Sequence, residues 1–259
     1  YWGRTLIVIP IIASIVMTLF FLLRLYSRRL TARKMDIDDI FMGLGLLFSY
    51  GVTICTAMAG YNGVSYDIWS LSPSTRQRAT LLFWISQKLW PLSQVFVKLS
   101  IIILFRKLLG SVRHWRNITT ALIALTIGWG IAAMAGNVLQ CWPPQFFWRK
   151  EIDGSCMGGQ EAFHIVIGSL SLVENFALVL MPVVAVWRLK LTPRQKVKLT
   201  VLFGVGGLAC VVGILRLITF KDYMAMNLTS SGCPEAVWSI IELDLGIICA
   251  SLILMRPLL

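Results

Sequence analysis

Five ionisable side chains, Lys88, Glu174, Arg216, Glu242 and Asp244, fall inside stretches otherwise too apolar to hold a charge. An amine, a guanidinium and three carboxyls in such a setting support two kinds of chemistry. They can hold a polar or ionic ligand, or a carboxyl left without a cation can exchange a proton with a substrate. Their spacing groups them with other polar residues. Gln87, Pro91, Gln94 and Lys98 recur three or four residues apart, on one helical face with Lys88 at its flank. Glu235, Ser239, Glu242, Gly246 and Cys249 form a second stripe, with Asp244 on another face of the same helix. His164, Gly168, Ser171 and Asn175 form a third, adjoined by Glu174. At ~1.5 Å per residue, Lys88, Glu242 and Asp244 come out ~10–15 Å from one end of their stretches, and Arg216 is shallower. An ionisable group at membrane depth costs ~2.5–3.5 kcal/mol and faces the bundle interior or a wet cavity. The expected site is an outward-opening cavity with Lys88, Gln94, Glu174, Arg216, Glu242 and Asp244 as ligand contacts. The same groups could equally pair with one another and hold the bundle shut.

The elements that carry these residues are long apolar stretches, at 5–23, 40–60, 79–105, 118–141, 162–187, 199–220 and 236–255. The chain of 259 residues is 57% hydrophobic and 14% charged, with a mean hydropathy of +0.77, which excludes an ordinary soluble domain. Each stretch approaches the ~20 residues a helix needs to cross ~30 Å of hydrocarbon. The strand alternation of a membrane barrel is absent. The fold class expected is all-α, a seven-transmembrane helix bundle. Alternate connections are rich in Arg and Lys: Arg24, Arg28, Arg29, Arg33 and Lys34, then Arg106, Lys107, Arg113 and Arg116, then Arg188, Lys190, Arg194, Lys196 and Lys198, and finally Arg256. The others hold only Arg4, Arg76, Arg78, Arg149, Lys150 and Lys221. The positive-inside rule then places the N-terminus outside and the C-terminus in the cytoplasm. A cytoplasmic face on anionic lipid accounts for the net charge of +12, and no nucleic-acid partner is needed.

Asp38 and Asp39 open the second stretch, and Lys98 lies deep on the third; a structural salt bridge between Lys98 and one of the two is expected, the other capping its helix. Cys141 and Cys156 bracket an outer loop, where a disulfide persists, and are expected to pair; Cys233 is the odd cysteine. Of two sequons, Asn117-Ile-Thr119 falls inside and Asn227-Leu-Thr229 outside, so Asn227 is the expected glycosylation site. No metal-ligand pattern is present: His114 and His164 lie on opposite sides. Short connections argue for one domain over 1–259. The opening Tyr1 suggests a domain cut from a longer chain. No internal repeat of the transporter kind is visible.

Several ordered strings carry a resemblance. They are Arg24-Leu-Tyr-Ser-Arg28 with Asp38-Asp39, Phe96-Val-Lys98-Leu-Ser100 through Phe105-Arg106, Gln140-Cys141-Trp-Pro143-Pro144 with Trp148 and Cys156, Leu180-Met-Pro182 through Trp187-Arg-Leu189, Arg216-Leu217, and Trp238 with Glu242 and Arg256-Pro257-Leu258. Together they make the chain similar to the fungal rhodopsin-like domain family of seven-helix membrane proteins, along essentially its whole length. The resemblance implies either a receptor-like protein or a membrane protein of a secondary-metabolite cluster. Where that family commonly shows Asn and Asp four residues apart, this chain has Ser171 and Asn175, with Glu174 beside them. Retinal proteins carry their chromophore on a seventh-helix lysine. None lies between Ala236 and Leu259, so no retinal cofactor is expected. The function expected is a receptor-like protein of the plasma membrane that binds a small molecule, lipid or surface cue from outside and signals to a cytoplasmic partner through its basic loops. The alternative is an intramembrane enzyme or accessory protein of a biosynthetic pathway; the balance leans away from an enzyme.

Overall fold

The computed structural model describes residues 2–30, 35–62, 72–110, 112–186, 193–220 and 228–254. Among them are seven helices: α1 (Trp2–Leu30), α2 (Ile37–Tyr61), α3 (Pro73–Leu109), α4 (Arg113–Val138), α5 (Gln160–Val186), α6 (Pro193–Phe220) and α7 (Leu228–Leu254). Two short strands, β1 (Cys141–Trp142) and β2 (Ser155–Cys156), pair antiparallel between α4 and α5. Helix starts are written into the sequence. Ser72 caps α3 ahead of Pro73, whose missing N–H costs nothing in a first turn. Asp36 caps α2 in a box with Asp39, whose carboxylate accepts from the Asp36 N–H at 3.2 Å.

Each helix packs on its neighbours in chain order, α1 also packs on α7, and α3 reaches α2, α4, α5 and α7. The helices therefore form a closed ring in chain order, in which α3 and α7 also touch each other. Burial is inverted relative to a soluble protein. Ile12, Ile15 and Leu22 of α1, Leu47 of α2, Ile131 of α4 and Val173 of α5 point outward, while Arg24, Asp38, Lys98, Glu174 and Glu242 are buried. Only a hydrocarbon solvent makes that arrangement favourable. Five helices contain a segment long and apolar enough to cross a membrane: Arg4–Leu30, Ile37–Tyr61, Arg113–Val138, Gln160–Pro182 and Gly232–Leu254. In α6 the apolar part is the shorter Gly204–Thr219, and α3 carries Lys88 and Lys98 through its middle.

At one end of the bundle, called the arginine end below, four helices are clasped together. Arg24 of α1 places Nη2 2.7 Å from Asp38 Oδ2 and Nε 3.0 Å from Asp39 Oδ1, and donates through Nη1 to Ala250 O of α7 at 2.8 Å. Arg28 pairs with both aspartates. Lys107 of α3 lies 2.6 Å from Asp38 Oδ1, and Ser100 Oγ donates to Asp38 O at 2.6 Å. The expected bridge from Lys98 to Asp38 or Asp39 is therefore corrected. Lys107 and Ser100 are the α3 residues that reach Asp38, whereas Lys98, two residues before Ser100, leaves another face of α3 and points to Glu174 of α5. The planar forks of two α1 arginines complete the coordination of both carboxylates.

Candidate functional site

The middle of the bundle holds two ion pairs. Lys98 Nζ lies 2.8 Å from Glu174 Oε2, 2.9 Å from Ser171 Oγ and 3.2 Å from Ser171 O, so all three of its protons are engaged. Thr126 Oγ1 of α4 closes on the other Glu174 oxygen, and the Trp129 ring lies 4.9 Å from the ammonium. Arg216 Nε of α6 is 3.1 Å from Glu242 Oε2, an ion pair lying off the hydrogen-bond line. Its guanidinium stacks 4.2 Å from the Trp90 ring, and Asn175 Nδ2 donates to Glu242 Oε1 at 3.0 Å. Ser171 and Asn175, at the positions where a carboxylate was expected by resemblance, thus serve the two pairs while Glu174 supplies the charge.

A cavity of about 60 Å³ lies on each side of this layer. The first, toward the β1–β2 hairpin, is the more polar of the two. Gln87, Asn137, His164, Arg216, Glu235 and Ser239 line it with Trp90. His164 sits between Gln160 O at 2.8 Å and Asn137 Oδ1 at 3.3 Å, and Ser239 Oγ donates to Glu235 at 2.9 Å. Gly168 leaves room for the guanidinium: a Cβ there would meet Arg216 Nη2 at 3.2 Å and Leu217 at 2.7 Å. At about 10–15 Å³ per water centre, this space suits a small cluster of waters. The second cavity, toward the arginine end, has apolar walls, with Gln94, Lys98, Asn175 and Glu242 gathered at its end nearest the layer.

The hairpin packs against Phe83 and Ala236 of the first cavity's wall. Cys141 and Cys156 are joined by a disulfide, and Cys141 packs with Phe147 against Phe83 of α3. Lys88 lies beneath it. Its Nζ is 3.9 Å from the Trp84 ring centroid and 5.8 Å from that of Phe147, with no hydrogen-bond partner among the described residues.

The six expected ligand contacts separate accordingly. Arg216 lines the first cavity, and Gln94 and Glu242 line the second. Glu174 is consumed by Lys98 and Thr126. Lys88 lines neither cavity and meets none of the acids expected at its depth, because it sits beside the α3 stripe and Gln87 takes the inward position. Asp244 also lines neither. It faces α2, where Ser49 Oγ approaches Oδ1 at 3.5 Å. Arg24, Thr126, Trp90 and Asn137 were not foreseen as site or clasp residues. Arg24 stood among the loop cations, and a lone Thr, Trp or Asn in an apolar run carries no distinguishing pattern. Asn227 lies outside the described residues. Among the described residues no group of three or more His, Cys, Asp or Glu is placed to hold a metal ion.

Inverted burial, buried charge layer and hairpin-capped helices define an all-helical, polytopic membrane protein. The chain belongs to the fungal rhodopsin domain family, whose sequence model matches residues 23–259. It is 28% identical over 243 residues to the receptor GIN3 of Arthrobotrys oligospora, covering 91% of this chain and 57% of that protein. It is 27% identical over 204 residues to a SAT4 family membrane protein of Emericella nidulans, 76% of this chain and 52% of that one. It is also 23% identical over 250 residues to fugralins biosynthesis cluster protein 2 of Gibberella zeae, covering 92% and 62%. The chain thus spans between half and two thirds of the length of these relatives. No solved structure matches it.

Proposed function

We propose that the chain is the seven-span membrane domain of a receptor-like protein at the cell surface, with the hairpin outside and the arginine end in the cytoplasm. All seven helices cross, since the charges of α3 that bar it on hydropathy alone are buried and, for Lys98, neutralised in place. The excess of Arg and Lys at one end supports the orientation. The disulfide at the other end suits an oxidising compartment.

One observation carries the functional reading: a cavity beside the hairpin, lined by several polar side chains, ends on Arg216, whose bond to Glu242 is poorly aligned and open to competition. A cue of small size entering there draws Arg216 from Glu242, and the change passes through Asn175 and the α6–α7 packing toward the basic loops. The likeness to a protein named as a receptor supports the same reading. The test is Arg216→Gln in cells carrying the whole protein. Surface abundance should hold while the cell's transcriptional response to an external cue is lost. Retention of every such response would overturn the reading.

A second reading, an accessory membrane protein of a biosynthetic pathway, is favoured by relatives named as cluster proteins in Gibberella zeae and Talaromyces wortmannii. Under it the same variant would change the accumulation of a metabolite and no external response.

A further inference from the structure

The second cavity is not explained by the proposed sensing site, from which the ion-pair layer separates it. Val97, Ile101 and Phe105 of α3, Leu178 of α5 and Ile253 of α7 form its walls, and Gly246 of α7 lines it opposite Val97, which a Cβ there would meet at 3.5 Å. Four charges stand at or beside the polar end, Lys98 with Glu174 and Arg216 with Glu242, and they balance. Lys98 has no proton left to give, and Asn175 Nδ2 gives one of its two to Glu242. Gln94 Nε2, on a residue only 4% exposed, has neither a hydrogen bond nor an ion pair among the described residues, whereas Glu242 Oε2, also without a hydrogen bond, faces Arg216.

These facts constrain the occupant. An ion finds no spare charge of either sign. Water can occupy only the polar end, because the walls beyond it are apolar. An unpaired buried N–H is costly, so an acceptor atom there is favourable. The apolar walls reward an alkyl body attached to that acceptor. The free space, about 60 Å³, is smaller than the roughly 150 Å³ cavity that admits a benzene ring, so the body is slender. We infer that this cavity binds the narrow end of a neutral, chain-like apolar molecule dissolved in the bilayer, whose carbonyl, ether or hydroxyl oxygen accepts from Gln94 Nε2.

Two photoreactive probes of equal length test this in protein reconstituted into nanodiscs: octanol and octane, each bearing a diazirine. Octanol is expected to label α3 and α7 at residues 97–105 and 246–253. Gly246→Val, which fills the cavity, is expected to cut that labelling by about fivefold to tenfold, the worth of a displaced contact set. Gln94→Leu is expected to cut octanol labelling by about fivefold while leaving octane labelling unchanged, because it removes one hydrogen bond and no wall. If Gly246→Val does not fold, the Gln94→Leu comparison decides alone. Labelling confined to lipid-facing residues such as Ile127 and Ile131, or equal behaviour of octanol and octane in Gln94→Leu, overturns the inference. Neither result depends on a response to an external cue.

Discussion

Lys98 Nζ and Glu174 Oε2 meet at 2.8 Å in the middle of the bundle, both almost fully buried. The pair joins α3 to α5, helices that otherwise touch little, and it stands between the two cavities. Its partners Ser171 and Thr126 satisfy the remaining valences, which is what makes a buried pair tolerable at all.

Removing one member should leave the other charged and alone. Lys98→Met is expected to lower stability by about 3–5 kcal/mol, and Lys98→Met with Glu174→Met to recover most of it. Thermal unfolding in detergent of the two single variants and the double one checks this. Equal losses that simply add would show that the pair is not coupled.

The clasp at the arginine end depends on geometry as much as on charge. Arg24→Lys keeps the charge but cannot reach Asp38, Asp39 and Ala250 O together, so a loss of about 2–3 kcal/mol is expected. Exposed Arg29 should accept the same change with a loss below about 0.5 kcal/mol. Parallel melting curves distinguish a fork from a point charge.

The hairpin bond closes a loop with a sequence separation of 15. Replacing both Cys141 and Cys156 by Ala should cost about 3 kcal/mol, and proteolysis of native protein should then begin within residues 141–156. Wild-type protein treated with a reductant should acquire the same cleavage.

Much of the bundle was legible because membrane helices announce themselves by length and apolarity, and because polar stripes at helical spacing must face inward. The stripe through Gln87, Gln94 and Lys98 and that through Glu235, Ser239 and Glu242 do line the two cavities. Their division into two was hidden, since it depends on Lys98 and Arg216 finding Glu174 and Glu242 across the bundle. Depth alone put Lys88 among the acids. The rotation of a side chain by one residue, about 100°, sent it under Trp84 instead. The clasp was half legible: Asp38 and Asp39 were marked for pairing, but counting Arg24 and Arg28 as loop charges concealed their partners.

At the start of α2, Asp36 lies 2.6 Å from Lys107, which holds the Asp36 carboxyl below its ordinary 3.8. A lowered folded value means a stabilising contribution complete above that ordinary pKa and lost as pH falls through the folded one. Asp36→Asn should therefore be less stable than the parent at neutral pH and indistinguishable from it in strong acid. Unfolding curves across that acid range provide the check.

The central proposal is an outward-facing polar cavity closing on Arg216, and thiol accessibility tests it most directly. Ser239→Cys, in a chain whose cysteines other than Cys141 and Cys156 are replaced by Ala, places one thiol on the cavity wall. A small membrane-impermeant thiol reagent applied outside intact cells should label it, and Arg216→Gln should change the rate. Labelling only from the cytoplasmic side of inverted vesicles, or from neither side, would contradict the account.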